Sequence, residues 1–212
     1  MRRVVKNNDS EITKTNLNYI EGNSTNNLKI SKILYKEQKG FCVYTEEYLG
    51  RADAKDIDHF NPNLKGTTDD SYLNWFLVKH QWNKEKSSKW ENHQPILLPT
   101  AIDFEDRIVY DSGDYRVSNL NDNEAINLVN LLKLDDLLLA DERKKYIQRK
   151  TKEVSIYGAS AEDFFKTLIE DDIKQISYLR AIKEEFKINI WEMIPEQQEI
   201  KHESSRNNGK YL

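Results

Sequence analysis

Apolar residues along this chain recur mostly at helical spacing, and only a few short stretches carry the alternation or aromatic density of extended structure. The first 25 residues, rich in Asn, Ser, Thr and Lys with little periodicity, read as a mobile arm or irregular lead-in. A helix follows over residues 28–39, where Leu28, Ile30, Ile33 and Leu34 recur near the helical period and Gly40 stands where a helix end favours a left-handed residue. Residues 41–49 read as extended or turn structure, and residues 55–60 as a short strand stopped by Pro62. A polar loop through residues 65–70 leads to a compact apolar strand at 74–78, and the Lys and Glu content of residues 80–91 predicts a helix. The order is strand, loop, strand, helix.

Downstream, residues 107–110 and 115–117 flank Asp111, Ser112, Gly113 and Asp114, the signature of a hairpin turn. Helices are expected over 125–134 and 137–150. Ser160, with Asp163 placed to complete a cap, opens one long amphipathic helix through Phe164, Phe165, Leu168, Ile169, Ile173, Ile176, Leu179 and Ile182, which Pro195 ends at the latest. The pattern predicts an α+β chain, mainly α-helical. It divides into an arm at 1–26, a core at 27–95, a hairpin and helical extension at 96–198 and a polar, disordered tail at 199–212.

Composition narrows the setting. With 38% hydrophobic and 32% charged residues in 212, the chain can bury a core while placing most of its charge on exposed helix faces. Its one cysteine, Cys42, excludes an internal disulfide framework and any Cys-rich zinc module built from this chain alone, so a reducing cytoplasm is the expected location. Residues 1–8 are basic without an apolar stretch behind them, and no apolar run approaches the roughly 20 residues of a membrane helix, which argues against secretion and against a membrane. The net charge of −4 has the wrong sign for gripping a polyanion unaided. Either basic residues are concentrated locally, as at Lys79, Lys84, Lys86 and Lys89 opposed only by Glu85, or a partner holds the nucleic acid.

Phosphodiester hydrolysis needs a base for water, a cation to absorb charge and groups to orient both. Asp58 and His59 supply two of these side by side. Neighbours on a strand face opposite ways, so their joint use requires the strand to end or twist there, as Pro62 suggests. Asn83, on the expected helix, would complete with Asp58 a hard, all-oxygen half-site that favours Mg²⁺ or Mn²⁺ over zinc. Lys86 lies one turn further on the same face, within reach of a phosphate. An isolated Asp-His pair is more often a surface pair than a catalytic one, and the other positions in register weigh against that reading. His80 and His93 read as polar helix-end residues, Cys42 as a small buried hydrophobe, and Tyr44, Trp75 and Trp82 as core.

The run from Asp56 through Asp58, His59 and Pro62, then Tyr72-Leu73-Asn74, then Asn83-Lys84-Glu85-Lys86-Ser87 resembles the HNH, or ββα-metal, endonucleases. That resemblance implies a core of a two-stranded hairpin plus a helix, set here between the N-terminal helix and the helical extension that the periodicity predicts. It also implies His59 as general base, Asp58 and Asn83 as metal ligands and Asn74 as the residue that holds the connecting loop, so that His59, Asn74 and Asn83 form the catalytic set. Asn83 stands where the family's naming histidine would be, a common variant. Cys42-Val43-Tyr44-Thr45 resembles the remnant of a zinc knuckle, with Lys79 and Trp82 at the second pair of positions, so structural zinc is not expected and buried Trp82 and Trp75 would replace its cross-link. More loosely, the layout resembles the nuclease subunits of Septu-type and retron anti-phage systems, which implies DNA as substrate and an ATPase subunit as partner. The competing class is a catalytically inactive nucleic-acid-binding or assembly subunit, which the intact Asp58, His59 and Asn83 argue against.

Overall fold

The computed structural model describes residues 1–87 and 89–196. Its first half carries α1 (Glu11–Lys14), α2 (Ser24–Glu37), β1 (Lys55–His59), β2 (Trp75–Lys79) and α3 (His80–Ser87). β1 and β2 pair antiparallel with Asp58 opposite Phe76 and His59 opposite Trp75, and α3 follows β2 directly, giving the expected ββα order. Trp75, Phe76, Leu77 and Val78 are all buried, so β2 has lost the alternation of a half-exposed strand and forms the centre of the core. Helix α2 begins earlier than its apolar spacing indicates, because its first turn is polar and held by a cap: the Asn23 side chain accepts the Asn26 N–H. Beyond its other end, Gly40 takes the left-handed conformation at φ 85°.

Of the two readings of the first 25 residues, a mobile arm or an irregular lead-in, the structure has the second, with its start packed into the core. Met1, Val4 and Ile12 lie in the same apolar cluster as Trp75 and Phe76. The Val4 N–H donates to the Pro99 carbonyl at 2.8 Å and the Asn7 N–H to the Tyr72 hydroxyl at 2.9 Å. Lys6 donates to the Trp75 carbonyl and lies over the rings of Tyr72 and Phe76, and burial pulls its ammonium down to a pKa of about 7. A path held by bonds to distant backbone has no period of its own, so its apolar residues gave no sign of burial.

The second half comprises α4 (Phe104–Arg107), β3 (Ile108–Asp111), β4 (Asp114–Val117), α5 (Asn123–Leu132), α6 (Leu137–Tyr157), α7 (Ala161–Asp172), α8 (Leu179–Phe186) and α9 (Ile190–Met193). β3 and β4 form the expected hairpin. Its turn places Ser112 at φ 52° and Gly113 at φ 99°, and a Cβ on Gly113 would stand 2.7 Å from the Ala140 carbonyl of α6. Ser160 caps α7 as its spacing indicates, its hydroxyl accepting the Asp163 N–H at 3.1 Å. The single long helix expected from Ser160 onward is instead broken between α7 and α8. Asp172 accepts the Lys174 N–H at 3.2 Å, Ser177 bridges to Glu47, and Tyr178 turns left-handed at φ 59° with its N–H on the Glu46 carbonyl at 2.9 Å. Tertiary hydrogen bonds outweigh the apolar period there. The tail expected from Glu199 lies outside the described residues. Among the described residues no helix is long and apolar enough to cross a membrane.

Two apolar clusters result, one around β2, α2 and α5 and the other around α7 and α8, with Trp82 and Tyr110 packed against both. Glu46 joins them. Its Oε1 accepts the Arg2 N–H at 2.9 Å, and its Oε2 accepts the Tyr115 hydroxyl and the Arg180 N–H, both at 3.2 Å. The Arg180 guanidinium in turn donates to the carbonyls of Met1 and Glu105 at 3.1 and 3.0 Å. Removing this buried acceptor leaves several donors unsatisfied. Glu46→Ala should therefore cost about 3–5 kcal/mol in urea denaturation followed by circular dichroism, and a loss below about 1 kcal/mol would show that the junction does not depend on it.

Candidate active site

On β1, Asp56 and Asp58 are two residues apart and share the face turned toward α3, one contacting Asn83 and the other Lys86. His59 is the last residue of the strand, so it escapes strict alternation: the chain leaves through the Phe60 N–H, which bonds the Asn74 carbonyl at 2.8 Å, and passes into a 3₁₀ turn at Pro62–Leu64. Asn74 clamps this exit. Its Oδ1 accepts the Asn61 N–H at 2.8 Å, while its Nδ2 donates to the Asn61 carbonyl and to Asp70 Oδ1, both at 3.1 Å.

The Asp58 carboxylate is 2% exposed. Tyr44 donates its hydroxyl to Oδ2, and Lys86 Nζ lies 2.7 Å from Oδ1. The same ammonium donates to the carbonyls of His59 and Phe60 at 2.8 and 2.9 Å, so all three of its protons have acceptors. Burial pulls the Lys86 pKa down and Asp58 opposes that shift. Asn83 donates through Nδ2 to Asp56 Oδ2 at 3.0 Å, and His80 Nδ1 reaches the same oxygen at 2.8 Å. His59 Nε2 is buried 3.0 Å from Asp70 Oδ2, with the Tyr19 ring set edge-on at 4.5 Å. Burial lowers the His59 pKa below its ordinary value of 6.5 and the Asp70 carboxylate partly restores it, so the ring is neutral near pH 7, the form a general base needs.

Asp56, Asp58, His59 and Asn83 line one open cleft of about 560 Å³, whose opposite wall is α2 through Ser24, Asn27, Leu28 and Ser31. The volume falls in the range of ordinary ligand sites.

Residues 42–90 match the family described as HNH endonuclease. This segment is similar to the HNH endonucleases. The CRISPR-associated endonuclease Cas9 of Campylobacter jejuni is 37% identical in an alignment of length 97 that takes in 37% of this chain and 10% of that protein. The match thus spans about a tenth of that relative's length. No solved structure matches the chain.

Within the HNH segment, the basic patch differs from the sequence expectation. Lys86 is 1% exposed and bound to Asp58, so it braces the site and does not reach toward a phosphate. Lys79 pairs with Glu47 at 2.8 Å. Lys84 and Lys89 are exposed, and the cleft itself is lined by Lys55 and Lys65, which the motif did not mark. At the knuckle, the buried Cys42 Sγ accepts the Lys79 N–H at 3.4 Å, and burial pushes its thiol pKa up. Four further residues were missed. Asp56 could have been found from the two-residue period of β1, whereas Tyr19, Tyr44 and Asp70 reach the site only through tertiary folding.

The donor set fits a hard cation. Each carboxylate oxygen of Asp58 has two lone-pair directions and one hydrogen bond, and the Nδ2 bond to Asp56 leaves the Asn83 amide oxygen as the atom that can face an ion. Among the described residues no group of three or more His, Cys, Asp or Glu side chains is arranged to hold a metal. Two protein oxygens fill only part of an octahedral shell, so an ion held by Asp58 and Asn83 would keep several waters.

The brace makes Lys86 a stability residue. Lys86→Ala should lower unfolding free energy by about 3–5 kcal/mol because it strands the Asp58 carboxylate. A melting temperature equal to wild type in differential scanning fluorimetry would refute the assignment.

Proposed function

We propose that the chain is a metal-dependent HNH endonuclease that hydrolyses phosphodiester bonds in DNA, with His59 as general base and Asp58 and Asn83 as ligands of a Mg²⁺ or Mn²⁺ ion. The observation that carries this reading is the convergence of a neutral histidine, a braced carboxylate and an amide oxygen on one cleft in an HNH segment. His59 takes a proton from water as the water oxygen bonds to phosphorus. The bond from phosphorus to the leaving nucleoside oxygen breaks, and that oxygen is protonated from solvent. Asp58 and Asn83 would hold the divalent ion, which when bound would supply Lewis-acid stabilisation of the developing negative charge. Asp56 holds Asn83 by its amide nitrogen, Asn74 holds the loop behind His59, and Lys55 and Lys65 offer the cleft's positive charge to the phosphate backbone.

The overall charge of −4 extends the reading to an enzyme that engages DNA with help from a protein partner. We further propose, from the resemblance in layout to ATPase-associated nuclease subunits, that this partner is an ATPase and that the setting is prokaryotic anti-phage defence.

Two measurements test these statements. Cleavage of supercoiled plasmid at high protein concentration with Mg²⁺ or Mn²⁺ should fall by about 10²- to 10⁴-fold in His59→Ala, with an unchanged circular dichroism spectrum, and undiminished cleavage would remove the mechanism. Fluorescence anisotropy on duplex DNA at about 150 mM salt should give a Kd for the chain alone no tighter than about 10⁻⁶ M. Submicromolar binding would overturn partner dependence and leave the nuclease reading intact.

A further inference from the structure

We infer that Asp70 is a positioning residue for His59, fixing the ring tautomer so that Nε2 carries the proton and Nδ1 is the nitrogen left to accept one from water. The functional meaning of this inference rests on the endonuclease reading above; its geometry does not.

A neutral imidazole has one N–H and one lone pair, and its surroundings decide which nitrogen has which. His59 Nε2 is buried, and the polar group facing it is Asp70 Oδ2 at 3.0 Å. An ionised carboxylate only accepts hydrogen bonds. With the proton on Nδ1, a nitrogen lone pair would face carboxylate lone pairs at that distance, out of contact with water. With the proton on Nε2 the contact is attractive. It is short but not yet aligned as a hydrogen bond, as is common for catalytic pairs before substrate tightens them.

Asp70 is itself fixed. Its side chain is 6% exposed, and its Oδ1 accepts the Trp75 indole N–H at 2.7 Å and Asn74 Nδ2 at 3.1 Å. Those two bonds settle the carboxylate plane and leave Oδ2 to His59. The Tyr19 ring edge-on at 4.5 Å and the Trp75 ring at 6.2 Å restrict rotation of the imidazole. Asp70 is not among the residues that line the cleft, so its effect passes through His59.

A purely structural role, anchoring the loop through Trp75 and Asn74, is the competing explanation, and Asp70→Asn separates the two. The asparagine keeps an oxygen for Trp75 and Asn74 while turning an NH₂ group toward His59 Nε2, which makes Nε2 an acceptor and moves the proton to Nδ1. Long-range ¹H–¹⁵N correlation spectra of the metal-free full chain, recorded well above the ring's titration, distinguish the tautomers, and a His59→Ala spectrum identifies His59 among the four histidines.

The wild type should show the Nε2–H form, and Asp70→Asn should shift it toward Nδ1–H. In plasmid cleavage, Asp70→Asn should lower kcat by about 10²- to 10⁴-fold. KM for DNA should stay within about twofold, the mark of a group acting after binding. An Nδ1–H wild type would overturn the inference even if the variant failed to fold. So would an unchanged tautomer in a folded variant, or an unchanged kcat in an active enzyme. If the wild type shows Nε2–H but cleaves no DNA, the endonuclease reading falls and the tautomer assignment stands.

Discussion

Asp58 and Lys86 meet 2.7 Å apart at 2% and 1% exposure, and the geometry of the site depends on that pair. Burying two charges costs more than their attraction returns unless the remaining protons and lone pairs are also satisfied. Here they are: Tyr44 takes the second carboxylate oxygen, and the lysine's other protons go to the carbonyls of His59 and Phe60. One ammonium thereby grips the end of β1 at the carboxylate and at both peptide groups where the chain turns away. The strand's exit, the start of the following loop and the angle of α3 against β1 are fixed together. The pair also cancels the charge of Asp58, so Asp56, whose Oδ2 receives Asn83 and His80, supplies the negative charge that the pair does not cancel on this face of β1.

The parts of this arrangement that were legible in the sequence are those encoded by local period, residue type or motif. The hairpin and α3 followed from the apolar run at Trp75 and the charge content after His80; Asp58, His59 and Asn83 came from residue type and order, and Asn74 from the resemblance to the HNH endonucleases. Lys86 shows where that reasoning stops. Its interval from Asn83 gives the correct helix face, but spacing carries no information about depth, and the difference between a phosphate contact and a buried brace is depth alone. Asp70 was only one polar residue in a loop, since its relation to His59 is made by the fold of that loop. The break before α8 was hidden because Ile176, Leu179 and Ile182 continue the helical spacing of α7 by coincidence, while the Tyr178 N–H finds the Glu46 carbonyl far away in sequence.

The cleft's two walls differ in chemistry. The HNH wall carries the ionised groups, whereas α2 presents Ser24, Asn27, Leu28 and Ser31, all uncharged. A polyanion lying between them meets positive charge from Lys55 and Lys65, and Lys65 is shared with Glu21 at 3.1 Å. The field along the groove is therefore weak, in keeping with the acidic chain as a whole.

That second wall lies outside the family's matched span. Residues 42–90 contain Asp58, His59, Asp70 and Asn83, yet α2, the Tyr19 ring against His59 and the Lys6 contacts beneath β2 all come from upstream. A transplant of the matched span into another scaffold would deliver the reactive groups with half a groove and an uncovered imidazole. The smallest portable unit of this protein is longer than its motif, because chemistry and enclosure are supplied by different stretches of chain.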